Sequence, residues 1–105
     1  MSRILRRPGV NDDIFFLAVY LPEQSDDAGR RFVDAVEVTL KNLAQRPGIG
    51  SRKEYEDPPL AETRSWPVNE FPNHLIYYRP LEDGINVLAI MHGSRDLERH
   101  LQKRV

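Results

Sequence analysis

The stretch Leu88–Asp96 is apolar for four residues and then presents two side chains that could do chemistry, His92 and Arg95. A histidine titrates near neutral pH and can act as a general base, whereas an arginine can bind a phosphate. Both residues also have structural interpretations. A histidine without a partner at diagnostic spacing is typical of a strand end where it hydrogen-bonds to a neighbour, and Arg95 could form an ion pair with Asp96 or Glu98. The elements that position the two side chains decide between these interpretations.

The composition limits the functions that the chain can serve. Its 105 residues fit one domain, residues 1–105, and 40% hydrophobic with 30% charged residues is typical of a soluble globular protein. No apolar run is long enough to span a bilayer and no N-terminal signal core is present, so the expected location is the cytoplasm. The absence of cysteine excludes disulfides and thiolate chemistry. The net charge of −1 disfavours nucleic-acid binding as the main function and favours a protein partner.

The first half of the chain is predicted to form a short strand, Arg3–Arg7, followed by two helices. Apolar residues recur at helical spacing from Val10 to Leu21. Ser25 is a suitable N-cap for the second helix, which Pro47-Gly48 ends. Since the connection is short, the two amphipathic helices are predicted to form an antiparallel hairpin.

The second half of the chain is predicted to be mostly β-structure. Pro67 places the first of its strands at a sheet edge, Asp83-Gly84 indicates a hairpin, and Asp96 is a suitable cap for a closing helix. The predicted elements, in order, are a loop (Gly48–Glu62), an edge strand (Thr63–Val68), a turn (Asn69–Asn73), two hairpin strands (His74–Pro80 and Ile85–Met91) and a short helix (Leu97–Lys103). The predicted fold class is therefore α+β: an N-terminal strand, a helical hairpin packed on a small antiparallel sheet, and a short C-terminal helix.

The last predicted strand is apolar on both faces, which indicates that both faces are covered. Strict alternation places Ile85, Val87, Ala89 and Met91 on one face and Asn86, Leu88, Ile90 and His92 on the other. The helical hairpin can cover one face. Two alternatives remain for the second: a surface that the short final helix leaves open for another chain, or complete cover by the final helix and the N-terminal strand.

Three segments in this order resemble a known family. They are Arg46-Pro-Gly-Ile-Gly50, the strand His74-Leu-Ile-Tyr-Tyr-Arg79 preceded by Arg64-Ser-Trp66, and Ile85-Asn-Val-Leu-Ala-Ile-Met-His-Gly-Ser-Arg-Asp96. Together they are similar to the ParE branch of the RelE/ParE superfamily of type II toxin–antitoxin toxins. The resemblance implies a toxin, with a role in plasmid stabilisation, that a cognate antitoxin neutralises. That antitoxin is expected to be ParD-like, with a ribbon-helix-helix DNA-binding domain.

Two activities occur within the superfamily, since ParE-like members poison DNA gyrase and RelE-like members cleave mRNA on the ribosome. If the chain were a nuclease, the candidate catalytic residues would be Lys53, His74, His92 and Arg95, of which the resemblance matches Arg95 and, as a possible loop lysine, Lys53. The match is incomplete, because His74 stands where RelE-like enzymes place an arginine and Leu101 stands where they place a tyrosine. The ending Lys103-Arg-Val105 also lacks the His-Tyr of other ribonuclease relatives. Gyrase inhibition is therefore preferred, with a nuclease or an inactive antitoxin-binding homologue as alternatives.

No catalytic residue, cofactor or metal is expected on the preferred interpretation. The acidic pair Asp12 and Asp13 is interpreted as first-turn helix chemistry, because no histidine or third carboxylate accompanies it at useful spacing. Tyr77 and Tyr78 are interpreted as sheet packing, and Arg79 either pairs with Glu82 or a helix acid or contacts the target. The candidates for antitoxin or target binding are Trp66, Arg79, Arg95, Leu97 and Leu101.

Overall fold

The computed structural model describes residues 2–102, so the predicted end of the last helix at Lys103 and the terminal Lys103–Val105 lie outside the described residues. Two short 3₁₀ turns, Pro47–Ile49 and Pro58–Leu60, separate the regular elements. These elements are β1 (Arg3–Arg6), α1 (Val10–Val19), α2 (Asp26–Gln45), β2 (Ser51–Arg52), β3 (Arg64–Val68), β4 (Phe71–Leu81), β5 (Gly84–His92) and α3 (Leu97–Gln102). The predicted α+β class and the order of its main elements are confirmed.

The sheet is mixed rather than purely antiparallel. Its strand order is β1-β5-β4-β3-β2, and β1 pairs in parallel with β5 while the other pairs are antiparallel. The chain between β1 and β5, which contains both long helices and the other three strands, supplies the long connection that a parallel pair needs. The predicted loop contains the two-residue β2, which pairs only with Ser65 and Arg64. The outer edge of β3 is therefore unpaired within residues 2–102 from Trp66 onward, as Pro67 predicts.

Both predicted turns are displaced by a few residues. β4 begins at Phe71, which pairs with Val68, so the turn before it consists of Asn69 and Glu70. The hairpin turn lies one residue earlier than predicted, because Leu81 pairs with Gly84. Gly84 is required for a different reason: a Cβ there would collide with the backbone of Arg3 in β1.

The helical hairpin forms as predicted. Ser25 Oγ accepts a hydrogen bond of 3.0 Å from the Ala28 N–H and so caps α2. The hydroxyl of Tyr78 donates to the Pro47 carbonyl (2.7 Å) and accepts from the Gly50 N–H (2.9 Å), which ties the end of α2 to the sheet. Burial raises the pKa of the Tyr78 hydroxyl, so it remains a protonated donor in this position.

A β-bulge in β5 overturns the predicted assignment of its faces. Tyr78 pairs with Val87 and Tyr77 with Ala89, so the register shifts at this point and Leu88 is an extra residue on β5. The alternation changes parity there. Before the bulge, Ile85 and Val87 face the helices. After it, Ile90 faces the helices, and Ala89 and Met91 lie on the opposite face of the sheet. Strict alternation over the whole strand was therefore wrong.

Two apolar clusters cover the two faces of the sheet. The first packs α1 and α2 against Ile76, Tyr78, Ile85, Val87 and Ile90. The second, called here the second cluster, contains Leu60, Tyr77, Leu88, Ala89, Met91, Leu97 and Leu101, with Tyr55 and Leu75 partly buried against it. Of the two alternatives for this face, complete cover applies. The cover comes from α3 and the segment 55–60, and not from the N-terminal strand as expected.

Candidate functional site

An open cleft of about 810 Å³ lies near the start of β4 and the end of β5, between α1 and α3. It brings together three of the four residues that the nuclease alternative requires, His74, His92 and Arg95. The remaining lining residues are Asp12, Asp13, Phe15, Phe16, Leu17, Tyr20, Ile90, Met91, Ser94 and His100. The cleft thus combines aromatic side chains, imidazoles and charges of both signs.

His74 and His92 are cross-strand neighbours on the adjacent strands β4 and β5. They are register partners, and their rings lie 5.6 Å apart at an interplanar angle of 81°. On its other side the His74 ring contacts Phe32 at 5.2 Å, and its Nδ1 is buried without a hydrogen-bond partner in the described chain. Burial and, next, the charge of His92 hold the pKa of His74 below its ordinary value. The pair therefore favours a neutral imidazole at His74.

The imidazole of His92 is fixed by the turn that follows it. Its Nδ1 accepts the backbone N–H of Ser94 at 3.1 Å and lies 2.8 Å from the Ser94 hydroxyl. Since Nδ1 is an acceptor, the neutral ring carries its proton on Nε2. A general base needs a free lone pair directed at the substrate, and this arrangement leaves Nε2 without one. The hydrogen bond to a neighbour is the one that the structural interpretation of His92 predicts.

Asp13 has a larger role than the sequence indicated. It lies in the first turn of α1, as predicted, but its carboxylate is only 10% exposed. Oδ2 accepts the backbone N–H of Ile90 at 3.1 Å, and Oδ1 lies 3.2 Å from Nε2 of His100. The ladder between β1 and β5 ends at Val87, so the carboxylate satisfies an N–H that no β1 residue reaches. Asp13 therefore joins α1, β5 and α3.

Arg95 lies exposed in the turn between β5 and α3, on the wall of the cleft. The structural alternative for Arg95, an ion pair with Asp96 or Glu98, does not form within residues 2–102. Asp96 instead accepts the N–H of Glu98 at 2.9 Å and caps α3, as predicted. The guanidinium of Arg95 is thus available to a partner molecule.

Lys53 does not belong to the cleft. Its Nζ lies 5.6 Å from the centre of the Tyr55 ring, and Tyr55 packs against the second cluster. Burial there, followed by the charges of Tyr77, Glu98 and Asp96, raises the pKa of Tyr55 to about 12. The nuclease candidates are therefore divided between the two faces of the sheet.

The predicted binding residues differ in what they expose. Leu97 and Leu101 are buried in the second cluster and present little surface to a partner. Trp66 is 37% exposed at the unpaired edge of β3. Arg79 is exposed and, in the described part of the chain, has no ion pair with Glu82 or a helix acid. Trp66, Arg79 and Arg95 thus stay available as contact residues.

Sequence reasoning missed the outer side of α1. Phe15, Phe16, Val19 and Tyr20 are 72%, 56%, 51% and 66% exposed, and they are called the aromatic ridge below. Phe16 and Tyr20 stack at 4.6 Å beside the cleft, while Phe15 and Val19 border a groove between α1 and α2. The sequence does carry an indication of this surface. The residues of α1 are apolar on both sides of the helix, whereas an amphipathic helix is apolar on one side only.

The fold is an α+β domain in which a helical hairpin packs on a mixed five-stranded sheet and a short C-terminal helix closes the second face. One solved structure with this fold is described as "Chromosomal ParDE TA system from P. aeruginosa". It matches with a TM-score of 0.63 and 18% identity, over 88% of this chain and 96% of that chain. No curated protein matches the chain. The family model described as "ParE toxin of type II toxin-antitoxin system, parDE" matches residues 4–97, and the chain belongs to this family.

Within residues 2–102, no helix combines the length and the apolarity needed to cross a membrane. In the same range, no group of three or more histidines and carboxylates is arranged to hold a metal ion.

Proposed function

We propose that this ParE-family toxin inhibits DNA gyrase without cleaving nucleic acid, and that a ParD-like antitoxin with a ribbon-helix-helix domain neutralises it in the cytoplasm. The observation that carries the proposal is the separation of Lys53 from His74, His92 and Arg95. Cleavage of RNA through its 2′-hydroxyl needs a base, an acid and cations around one phosphate. The cleft offers one arginine and two nearby carboxylates, which would repel that phosphate.

The histidines give further support to a binding role. His74 is held neutral by its surroundings, and the Nδ1 of His92 is occupied by Ser94. The net charge of −1 provides no long-range attraction to ribosomal RNA. A cleft with exposed aromatic side chains and an arginine that has no ion pair within residues 2–102 is better suited to a protein surface, where aromatic residues and arginine contribute most of the binding energy.

Trp66, Arg79 and Arg95 are proposed as contact residues for the antitoxin or the target. All three are at least partly exposed, and neither arginine has an ion pair within residues 2–102. A carboxylate supplied by a partner would therefore form a new pair with Arg79 or Arg95 without breaking an existing one.

The test uses two reactions in parallel with the same purified chain. We expect inhibited supercoiling and stabilised cleavage complexes with purified gyrase, and intact mRNA on programmed ribosomes. Arg95→Ala should weaken gyrase inhibition about tenfold, whereas Arg99→Ala on the exposed side of α3 is the matched control and should not. Unaffected gyrase would refute the proposal.

A nuclease is the second candidate, because the cleft does bring His74, His92 and Arg95 together. In that case mRNA would be cut within ribosomes, and His92→Gln would abolish cutting. Co-expression with the small protein encoded next to the toxin gene tests the antitoxin: restored growth and a stable complex are expected, and continued growth arrest would contradict this part.

A further inference from the structure

The first strand of the sheet, β1, has one side without a partner strand. It lies at the end of the strand order, and in the described chain it pairs with β5 alone. The Arg3 N–H donates to the Asp83 carbonyl at 2.7 Å, and the Arg7 N–H donates to the Val87 carbonyl at 2.9 Å. The odd-numbered residues therefore direct their backbone groups towards β5. In a parallel ladder the residues between them direct theirs the other way.

The outward backbone groups belong to Ile4 and Arg6. Their N–H and C=O groups have no hydrogen-bond partner within residues 2–102. These four donors and acceptors form an open sheet edge, called the β1 edge below. A row of unpaired backbone groups is a template for pairing with another extended chain, and proteins commonly protect such an edge with charged side chains.

The side chains of β1 divide between the two faces of the sheet. On the helix side, Ile4 packs against the apolar cluster under the helices, and Arg6 forms two hydrogen bonds of 2.7 Å with the Glu37 carboxylate. Successive side chains of a strand alternate, so the other side presents Arg3, Leu5 and Arg7. Leu5 is 42% exposed and lies outside both apolar clusters. A strand added at the β1 edge therefore meets a positive, apolar, positive pattern.

The positive charges of this surface are available to a partner. Arg7 and Arg79 have no ion pair within residues 2–102. Arg3 pairs with Asp83 at 3.2 Å, but both side chains are more than half exposed. Exposed pairs of this kind contribute little to stability, so a carboxylate from a partner can replace Asp83 at little cost.

Arg79 contributes its charge from β4. Tyr78 beside it faces the helices, so Arg79 faces the other way, on the same side of the sheet as Leu5. Leu5 and Arg79 both pair with Asn86, and the three residues form one row across the sheet. The backbones at the two ends of this row are two strand spacings apart, about 9–10 Å. An arginine side chain covers much of that distance, so the surface beside the β1 edge is locally positive although the chain has a net charge of −1.

These charges disfavour a second copy of the chain as the occupant. The self-pairing that uses all four outward groups is a two-fold, antiparallel contact centred on Leu5. It places the Arg3 of one molecule opposite the Arg7 of the other. Like charges directly opposite each other on two strands are destabilising. The β1 edge is thus protected against self-association, while the same charges attract carboxylates.

We infer that the β1 edge binds an extended acidic segment of another protein, which joins the sheet as a sixth strand. Backbone hydrogen bonds to Ile4 and Arg6 hold the segment, and its alternate side chains face Arg3, Leu5 and Arg7. The chemistry required is a carboxylate, an apolar side chain and a second carboxylate at alternate positions. In strand addition, main-chain hydrogen bonds supply the affinity and alternate side chains supply the specificity. No residue of β1 lines the cleft, and the inference does not depend on gyrase being the target.

The test uses the full chain without antitoxin and a peptide with blocked ends, Thr-Glu-Thr-Val-Thr-Glu-Thr. Exchange of single amide hydrogens, followed by NMR, reports on the edge directly. In the free chain the outward amides of Ile4 and Arg6 should exchange at least about tenfold faster than those of Leu5 and Arg7, which are bonded to β5. Saturating peptide should slow Ile4 and Arg6 at least about tenfold and change Arg7 far less.

Charge reversal tests the specificity. A peptide with lysine in place of both glutamates should bind at least about tenfold more weakly than the acidic peptide. Arg7→Glu should remove this preference, because it places a carboxylate opposite the acidic position. The matched control is Arg30→Glu, at an exposed arginine of α2 that also has no ion pair within residues 2–102, and it should keep the preference. Melting temperatures of both variants establish that the fold is intact.

Four results would overturn the inference. They are slow exchange of Ile4 and Arg6 in the free chain, no binding of the acidic peptide, equal binding of the two peptides, and acidic-peptide binding that leaves the Ile4 and Arg6 amides unprotected. A single-stranded oligonucleotide that protects these amides where the acidic peptide does not would assign the surface to nucleic acid instead.

Discussion

The second face of the sheet and the outer side of α1 are both rich in apolar residues, but only the first is covered. On the sheet, Leu97 and Leu101 from α3 and Leu60 from the preceding segment complete the second cluster. On α1, the aromatic ridge has no cover from any described element. The contrast shows that apolar content alone does not identify a docking surface. What matters is whether a later part of the chain returns to cover it.

The largest expected effect comes from placing a charge in the covered second cluster and, for comparison, on the uncovered aromatic ridge. Leu101→Asp should lower the free energy of unfolding by about 3 kcal/mol, because it buries an unpaired carboxylate in the second cluster. Phe15→Asp should change it by no more than about 0.5 kcal/mol, since Phe15 is largely exposed. Urea denaturation at low protein concentration measures both. Equal losses would mean that the aromatic ridge is also part of the folded core.

Two glycines provide the next comparison, one in the closed sheet and one in the open groove. Gly84→Ala should cost about 2–3 kcal/mol, because the added methyl group collides with the β1 backbone. Gly29→Ala meets only ordinary contacts and removes a helix-breaking residue, so it should stabilise by about 0.5–1 kcal/mol. Thermal melts of the two variants check the opposite signs, and a loss at Gly29 would indicate tighter helix packing than described.

Asp13 lies where the covered and uncovered regions meet, and its removal should have an intermediate effect. Asp13→Ala leaves the Ile90 N–H without its carboxylate and breaks the contact with His100, at a cost of about 2 kcal/mol. Asp12→Ala, at the exposed neighbour in the same helical turn, is the matched control and should be nearly neutral. Hydrogen exchange at Ile90 measures the effect locally, and unchanged protection would contradict the assigned role.

The smallest expected effect is a pH dependence at His74. Its pKa is lower in the folded protein than in the unfolded chain, so the unfolded chain binds the proton first as the pH falls. The stabilisation that depends on a neutral His74 is fully present above its pKa in the unfolded chain, about 6.5. It is lost as the pH falls through the lower pKa of His74 in the folded protein. His74→Gln should therefore reduce the loss of stability below pH ~6.5. An identical pH profile for both proteins would exclude this origin.

Local patterns were sufficient to predict most of the fold. The spacing of apolar residues in α2, its cap at Ser25 and the cap at Asp96 all depend on residues close in sequence, and each is confirmed. The site was harder, because its contacts join distant segments. Asp13 reaches Ile90 across 77 positions, and nothing near Asp13 in the sequence indicates that an unpaired strand N–H lies there. The parallel pairing of β1 was missed for the same reason.

The Leu88 bulge has a consequence for how β5 could change its length without changing the cleft. Before Leu88, odd-numbered residues of β5 face the helices; after it, even-numbered residues do, and His92 reaches the cleft for that reason. A single-codon deletion of Leu88 would restore a regular ladder in which Tyr77 still pairs with Ala89 and His74 with His92, so His92 would stay on the cleft side. Relatives that lack one residue here would therefore keep both the letters and the faces of the strand end. Alignments of the family should place a one-residue gap in this strand at the bulge, because a gap placed elsewhere would assign residues to the wrong face.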